Sequence, residues 1–163
     1  MYYDRDETFY CGCTFDFEDG PALPSCGYDV RKQPDRASRI EWEHVVPAYD
    51  FGRQRQCWQD AGRRHCRSND PVFWRAEADL HNLVPSIGEI NGDRSNMRYG
   101  MAVSSDAYQY GDCQAKVDYG VRTFEPPAHV RCDIARTYFW PAPGSVPGRH
   151  AAAAHSARVD CLR

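Results

Sequence analysis

Eight cysteines are the feature that most constrains how this chain can fold, because every disulfide joins two segments that must then lie together. They stand at positions 11, 13, 26, 57, 66, 113, 132 and 161 of the 163 residues. An even number of cysteines in a chain of this size predicts disulfides and an oxidising compartment, without fixing which pairs form. Zinc is the alternative, with ligands drawn from Cys11, Cys13 and Cys26 or from Cys57, His65 and Cys66. The lack of any C-x-x-C spacing favours disulfides over zinc.

The overall charge argues against a wholly basic nucleic-acid-binding protein, since the formal net charge is −3. One segment is nevertheless strongly basic: residues 53–67, RQRQCWQDAGRRHCR, hold five Arg and one Asp. An arginine matches two phosphate oxygens at once, so this segment gains significance if it lies beside a catalytic centre. A hydrophobic content of 42% predicts a folded domain, and the chain has no apolar stretch of about 18 residues that could span a membrane.

The segment RIEWEHVVPA, residues 39–48, places a glutamate and a histidine side by side between apolar flanks. Residues 39–46 alternate as a strand does, with Ile40, Trp42 and His44 on one face and Glu43 on the other. Burial of either polar residue without a partner would be costly. Because adjacent strand residues point to opposite faces, Glu43 and His44 can act together only where the strand ends or bulges.

A helix is predicted to follow the basic segment, beginning near residue 70. Asp70 can cap its first turn, and Pro71 fits the first helical position. Phe73, Glu77 and Leu80 then recur at helical spacing. The pattern places an acid, Glu77, on an otherwise apolar helix face.

A strand over residues 81–85 and a further helix are predicted next. Ser86 followed by Glu89 is a capping-box signature, which predicts a helix over Ile87–Asn96. One face of this helix would carry Asn91, Arg94 and Arg98.

The remaining segments carry weaker signals. Residues 9–27 are predicted as loops pinned by cysteines, residues 28–32 and 117–124 as strands, 47–69 as a long irregular loop and 129–140 as a helix. From residue 141 the composition becomes rich in Pro, Ala and Gly, which predicts a poorly ordered tail.

One histidine, one carboxylate and one amide meet the needs of phosphodiester hydrolysis, which requires an activated water and a cation to stabilise charge on the phosphate. His44 suits the general base, because an imidazole titrates near neutral pH. Glu43 and Asn91 offer the oxygen ligands that Mg²⁺ prefers, and Mg²⁺ retains several waters, so two protein ligands suffice. An arginine from residues 53–67 can steady the phosphate. Each residue alone would have an ordinary structural explanation; their combination suggests a nuclease.

The sequence resembles the endonuclease I family, bacterial secreted and periplasmic non-specific nucleases with a ββα-metal, or His-Me finger, active site. The resemblance rests on FYCGC, SCGYDVRK, RASRIEWEHVVPAYDFGRQRQCWQDAGRR, EADLHNLVPSIGEINGDRSN and IARTY, which run from about residue 9 to 139. It implies one α+β domain, mixed and loop-rich, stapled by disulfides and carrying a ββα-metal motif. We expect residues 1–140 to form this domain and residues 141–163 to form a divergent Pro/Ala-rich tail.

The resemblance also implies roles for individual residues. His44 corresponds to the general base, and Glu43 and Asn91 correspond to the residues that hold a single Mg²⁺, for which Mn²⁺ or Ca²⁺ could substitute. Arg63 corresponds to an arginine at the phosphate beside the cut, and Glu77 to an acid that orients the catalytic site. Contacts to nucleic acid are expected from Arg63, Arg64, Arg94 and Arg98.

The family resemblance implies a monomer that cleaves DNA, and RNA, with little sequence preference and leaves 5′-phosphate ends. No secretory signal opens the chain, so a periplasmic or extracellular location is inferred from the cysteines and the family. Family members normally continue beyond IARTY with another helix and a cysteine-containing segment. The tail is therefore interpreted as a natural divergence, a truncation or a frameshift, with Cys132 and Cys161 unpaired or paired in a new way. The alternative function is an Arg-rich polyanion-binding protein with impaired catalysis.

Overall fold

The computed structural model describes residues 6–139, which form a mixed α+β domain rich in loops. Its strands are β1 Phe15–Asp16, β2 Gly20–Pro21, β3 Ile40–His44, β4 Leu83–Ile87, β5 Arg98–Tyr99, β6 Tyr108–Tyr110, β7 Cys113–Asp118 and β8 Thr123–Glu125. Its helices are α1 Pro34–Ala37, α2 Ala48–Gly52, α3 Gln56–Asn69, α4 Pro71–Glu77, α5 Gly88–Arg94 and α6 Arg131–Phe139. Two short 3₁₀ helices lie at Leu23–Cys26 and Ala128–Val130.

A strand pair followed by a helix positions the candidate site. Strands β3 and β4 run antiparallel, with Glu43 opposite Val84 and His44 opposite Leu83. Helix α5 begins directly after β4 and packs against both strands. The order strand, strand, helix is therefore the one that the family resemblance implies, and the mixed α+β class is confirmed.

The main core lies between this motif and a four-stranded sheet of order β5-β8-β7-β6, in which β5 runs parallel to β8. Val45, Ile87 and Ile90 from the motif pack in one cluster with Val117 and Phe124 from the sheet. Burying apolar side chains of this size stabilises the fold by about 1.5–3 kcal/mol each. The strand pair and α5 are thereby packed against the four-stranded sheet.

Helices α2, α3 and α4 form an insertion between β3 and β4, with a small core of their own. Ala48, Cys66 and Phe73 are its buried members, and Phe51 and Trp58 pack against them. This second core holds the basic segment close to the end of β3.

The prediction of disulfides is confirmed. They join Cys11 to Cys113, Cys13 to Cys26 and Cys57 to Cys66. The zinc interpretation is wrong for these cysteines, because a sulfur in a disulfide is not available as a thiolate ligand. Cys132 is not a free thiol either, which contradicts the expectation that it could be unpaired.

The prediction of a long irregular loop over residues 47–69 is wrong, because α2 and α3 occupy most of it. Helix α3 contains a kink at Ala61 and Gly62, where Gly62 has a φ of 75°. The Cys57–Cys66 disulfide bridges the kink from either side. The segment is rich in Arg and Gln, has a Gly at its centre and offers few large apolar residues, so its apolar pattern alone did not reveal the helix.

The predicted strand over residues 28–32 is also absent, because a buried carboxylate binds its backbone instead. The backbone amides of Arg31, Lys32 and Gln33 donate to the carboxylate of Glu89 at 2.6–3.0 Å. Glu89 is therefore not the partner of Ser86 in a capping box, and Ser86 lies within β4. Helix α5 begins at Gly88, without a side-chain cap.

Other boundaries differ by smaller amounts. Residues 117–124 span the end of β7, a turn at 119–122 and the start of β8 rather than one strand, since β7 ends at Asp118 and β8 begins at Thr123. Helix α4 ends at Glu77, so Leu80 lies beyond it and is exposed.

Several local signals are confirmed. The carboxylate of Asp70 accepts hydrogen bonds from the backbone amides of Val72 and Phe73 at the start of α4, and α6 covers most of the predicted residues 129–140. Within residues 6–139, no helix has the length and apolar character needed to cross a membrane. The predicted tail at 141–163 lies outside the described residues.

Candidate active site

The last residue of β3, His44, presents one ring nitrogen to the backbone of α4. Its Nε2 lies 2.8 Å from the carbonyl oxygen of Glu77. A carbonyl only accepts hydrogen bonds, so Nε2 must carry the proton and Nδ1 must keep its lone pair. The contact therefore selects the tautomer in which Nδ1 can accept a proton. It also fixes the orientation of the ring.

The surroundings of His44 favour its neutral form. Partial burial is the largest cause of a pKa below the ordinary value of 6.5, and the positive charge of Arg63 lowers the pKa further. The hydrogen bond to the Glu77 carbonyl opposes this effect. A neutral imidazole near physiological pH is the form that a general base requires.

Glu77 contacts both His44 and the basic segment. Its side chain is nearly buried, and its Oε1 accepts a hydrogen bond of 2.6 Å from Nε of Arg63. Arg67 approaches its second oxygen at 3.6 Å. Glu77 is buried together with Phe73 and Ala76 of α4, so the prediction of an acid on an apolar helix face is confirmed. One residue orients His44 through its carbonyl and Arg63 through its carboxylate.

Arg63 is held at one end and exposed at the other. Its side chain is 54% exposed, and Nε is the atom that binds Glu77. Its two terminal nitrogens form no hydrogen bond or ion pair with residues 6–139, so they are available to a phosphate beside His44. The kink at Gly62 precedes Arg63 directly and directs the second half of α3 toward α4. Arg64 is exposed.

Glu43 lies on the opposite side of β3 and is only 3% exposed. Its Oε1 accepts hydrogen bonds from the hydroxyl of Tyr10 at 2.8 Å and from Nη1 of Arg94 at 3.0 Å. Burial raises the pKa of the carboxyl, and the positive charge of Arg94 opposes that rise. Within the described chain, Oε2 accepts no hydrogen bond.

Asn91 lies on α5 beside the same strand. Its Nδ2 donates to Oε2 of Glu41 at 3.0 Å. Glu41 is in turn held by the guanidinium groups of Arg36 and Arg39. The amide nitrogen of Asn91 is therefore engaged, while its Oδ1 accepts no hydrogen bond from residues 6–139.

Glu43 and Asn91 meet the chemical requirements for holding a hard divalent cation. Each keeps one oxygen that has no hydrogen-bond donor in the described part of the chain, and oxygen is the donor that Mg²⁺ prefers. Among residues 6–139, no three His, Cys, Asp or Glu side chains cluster as a metal site. An ion here would therefore rest on few protein ligands and keep several waters, as Mg²⁺ does.

The expectation that Arg94 contacts nucleic acid is inconsistent with its position, since Arg94 is 0% exposed. Its terminal nitrogens donate to Glu43 and to the backbone carbonyls of His44 and Val45. Its Nε has no partner in the described structure. Arg98 is exposed, but it lies in β5 rather than on the Asn91 helix face, because α5 ends at Arg94.

Sequence reasoning missed the residues that support Glu43 and Asn91. Tyr10 holds the Glu43 carboxylate and also contacts the hydroxyl of Tyr99 at 2.6 Å. Glu41 holds the Asn91 amide. Only Glu41 had a usable signal, since it lies two residues before Glu43 on the same strand face.

Comparison with known proteins places these residues in a family. A family model described as Endonuclease I matches residues 1–143. An extracellular deoxyribonuclease from Aeromonas hydrophila is 48% identical over 152 residues, which cover 91% of this chain and 66% of that protein. Endonuclease-1 from Buchnera aphidicola subsp. Acyrthosiphon pisum is 52% identical over 136 residues, covering 82% of this chain and 54% of that protein.

A periplasmic deoxyribonuclease from Aeromonas hydrophila is 48% identical over 144 residues, covering 86% of this chain and 60% of that protein. The chain thus spans between about half and two thirds of the length of the curated relatives that it matches.

Proposed function

The chain belongs to the endonuclease I family, and from that premise we propose that it is a metal-dependent endonuclease that hydrolyses phosphodiester bonds of DNA. Three of its relatives are named as deoxyribonucleases of the periplasm or the extracellular space. The proposal extends the activity that these relatives are named for to this chain, because the candidate site lies entirely between residues 43 and 91.

The contact between His44 and the carbonyl of Glu77 is the observation that carries the proposal. It leaves Nδ1 as the unprotonated nitrogen, so Nδ1 can remove a proton from the water that attacks phosphorus. The low pKa of this imidazole keeps the basic form populated near neutral pH. Because the acceptor is a backbone carbonyl, rotation of the Glu77 side chain cannot remove this contact.

Arg63 is proposed to bind the scissile phosphate. The carboxylate of Glu77 holds its Nε, which leaves two terminal nitrogens directed away from that contact. A guanidinium in this position can stabilise the additional negative charge that develops on phosphate oxygens. His44 and Arg63 are thereby set side by side through Glu77.

Glu43 and Asn91 would hold the cation, here proposed to be one Mg²⁺ with Mn²⁺ or Ca²⁺ as substitutes. Such an ion supplies a positive charge that stabilises the phosphate and the leaving oxygen. The contribution of this chain is to keep one carboxylate oxygen and one amide oxygen available. Tyr10 and Arg94 do so by engaging only Oε1 of Glu43.

The substrate range follows from the type of contact. Phosphate contacts position a nuclease without reading bases, so we propose cleavage with little sequence preference, on RNA as well as DNA. We further propose 5′-phosphate products, a monomeric enzyme, and a periplasmic or extracellular location. The three disulfides support the location, because such bonds persist in oxidising compartments.

A second candidate, polyanion binding without turnover, is favoured by one observation. The buried ion pair with Arg94 already compensates the charge of Glu43, which weakens its attraction for a metal ion. In that case, the Arg-rich segment would bind nucleic acid and no phosphodiester bond would break.

Incubation with supercoiled plasmid separates the two functions. We expect nicked and then linear DNA in Mg²⁺, and intact plasmid in EDTA. A folded protein that shifts the mobility of the plasmid but leaves it uncut in Mg²⁺, Mn²⁺ and Ca²⁺ would establish the binding function instead. End-labelling of the products with a kinase, before and after phosphatase treatment, reports whether the 5′ ends carry phosphate.

A further inference from the structure

A groove of about 500 Å³ lies along the side of α5 that faces residues 31–32 and 119–122. The polar, charged and aromatic residues in its lining include Arg31, Lys32, Asp93, Ser95, Tyr119 and Arg122. Its volume falls within the range of pockets that bind small ligands. None of these residues takes part in the candidate active site described above.

The side chains that line this groove carry a net positive charge. Its one carboxylate, Asp93, is bound by Arg31 through two contacts of 2.6 and 2.8 Å. Lys32 and Arg122 form no ion pair with any residue between 6 and 139. The hydrogen bond of Arg122 is to the neutral side chain of Asn96. The groove therefore presents two positive charges that no neighbouring acid compensates, which suits an anionic ligand.

The backbone around the groove is strained. Ser95 and Arg122 both have a φ of 51°, and they are the two non-glycine residues with positive φ in the described part of the chain. Such conformations cost free energy and persist where the surrounding structure imposes them, often at binding sites. Both residues line the same groove, although they are 27 positions apart in sequence.

The groove begins within one helical turn of Asn91. Ser95 lies four residues after Asn91, which corresponds to about 6 Å along a helix axis. Between them, the guanidinium of Arg36 packs against Gly92, where a Cβ would come within 1.8 Å of Nη1. Arg36 also binds Glu41, the partner of Asn91. Arg36, paired with Glu41, thus lies between the candidate metal ligand Asn91 and the groove.

We propose that this groove binds backbone phosphates of the polynucleotide, one or two nucleotides away from the bond that is cut. Phosphates of one DNA strand recur about every 3.4 Å along the duplex axis, so a groove that begins about one helical turn from Asn91 is within reach of phosphates close to the scissile one. Lys32 and Arg122 neutralise these phosphates. Tyr119 is 46% exposed, and Arg31 lies over one face of its ring at 5.2 Å, so a neighbouring base would stack on the other face. This inference rests on the proposed nuclease function and names a substrate-binding subsite for it.

Binding of a fluorescently labelled duplex, measured by anisotropy in EDTA at several salt concentrations, tests the proposal. The variant is Lys32→Gln/Arg122→Gln. The matched control is Lys116→Gln/Arg136→Gln, which removes one Lys and one Arg elsewhere. Each lost phosphate contact reduces the slope of log K against log salt by about 0.9, so we expect a loss of about 1.8 in the groove variant. The control should keep the wild-type slope. Steady-state cleavage should show a raised KM and an unchanged kcat.

The single substitution Lys32→Gln provides a second test in case the double variant fails to fold. Lys32 contacts Glu89 through its backbone amide, so replacing its side chain keeps that contact. It should lower the slope by about 0.9. Wild-type slopes in the groove variants, or equal losses in groove and control variants, would overturn the inference. So would stabilisation of the wild type by inorganic phosphate with duplex binding unaffected by the substitutions, which would indicate a site for free phosphate only. Failure of wild-type protein to bind or cut DNA would instead contradict the proposed function.

Discussion

His44 and Glu43 are adjacent in the chain but contact different parts of the molecule. His44 faces α4 through the carbonyl of Glu77, and Glu43 faces Tyr10 and Arg94 on the other side of β3. Arg94 connects the two, since Nη1 also donates to the carbonyl oxygen of His44 at 2.7 Å. The strand ends at this pair, so base and proposed metal ligand are fixed relative to each other by one peptide unit and one guanidinium.

The pH dependence of cleavage should report the environment of His44. Burial lowers its pKa below 6.5, so the neutral base persists to lower pH than in an ordinary histidine. We expect kcat at saturating Mg²⁺ to rise with pH through an inflection below 6.5 and to level off by about pH 7. The measurement is kcat from about pH 5 to about pH 8. A flat profile, or an inflection above neutrality, would contradict the assignment of His44 as the base.

Substitution Glu77→Gln separates the two contacts of Glu77. The backbone carbonyl that orients His44 remains, whereas the charge that holds Arg63 is lost. We expect kcat to fall about 10- to 100-fold, since loss of a supporting partner typically costs that much, and the pH inflection to move to slightly lower pH, because the charge of Glu77 raises the pKa of His44. In an Arg63→Ala background the same substitution should cost much less. Independent, additive losses would show that Glu77 does not act through Arg63.

Some residue-level features were predictable and some were not. The alternation of residues 39–46 identified the strand faces, and helical spacing correctly placed Glu77 on the apolar face of α4. The burial of Arg94 was not predictable, because it depends on carbonyls at the end of β3 that lie about 50 positions earlier in the chain. An arginine at helical spacing from Asn91 is equally compatible with a solvent-exposed face.

At the scale of elements, the kinked helix α3 determines where the basic segment can reach. Gly62 breaks the helix, and the Cys57–Cys66 disulfide holds the two halves together. Arg63 follows the break and meets Glu77 on α4. Within this segment the guanidinium groups of Arg55 and Arg63 are bonded to Asp70 and Glu77, whereas Arg53 and Arg64 remain exposed.

Removal of this disulfide should weaken both stability and catalysis. A Cys57→Ser/Cys66→Ser variant should lose about 2–3 kcal/mol of unfolding free energy, because the bridge closes a loop of about ten residues. It should also lose activity, since the kink that positions Arg63 is no longer constrained. Urea unfolding and plasmid cleavage give the two quantities.

The control for this variant is Cys13→Ser/Cys26→Ser, which opens a bridge of similar span in the main core rather than in the small core around α3. It should lose comparable stability and keep kcat. Equal catalytic loss in both variants would indicate that activity follows global stability rather than the position of Arg63.

The start of α4 depends on a local signal and was predicted correctly, whereas the conformation of residues 31–33 depends on a distant partner and was not. Asp70 and Pro71 mark the start of α4 through contacts within three residues. Residues 31–33, by contrast, give their amides to Glu89, which is more than 50 positions away. That carboxylate removes the hydrogen bonds a strand would need, and no periodicity within the segment indicates it.

For the whole molecule, the disulfides connect parts that the sequence separates. Cys11 and Cys113 are 102 positions apart, and their bond attaches the N-terminal loops to β7 of the four-stranded sheet. Tyr10, which holds Glu43, directly precedes Cys11. The segment that contains Tyr10 and Cys11 therefore both links distant parts of the chain and supports the candidate site.

Reduction should consequently destabilise the entire domain. Constraint of a loop of about 100 residues contributes roughly 4–5 kcal/mol in the chain-entropy account. We expect the melting temperature to fall by more than about 5 °C in dithiothreitol, measured by circular dichroism. An unchanged melting temperature under conditions that reduce all thiols would contradict the structural importance of these bonds.

The most direct test of the central claim compares His44→Ala with His129→Ala, an exposed histidine in the 3₁₀ helix at Ala128–Val130. Both are assayed for plasmid cleavage in Mg²⁺ and for duplex binding in EDTA. The account predicts that His44→Ala loses at least about 100-fold in kcat with unchanged affinity, and that His129→Ala matches the wild type. Full cleavage activity in a folded His44→Ala protein would contradict the claim that this histidine is the base of a metal-dependent nuclease.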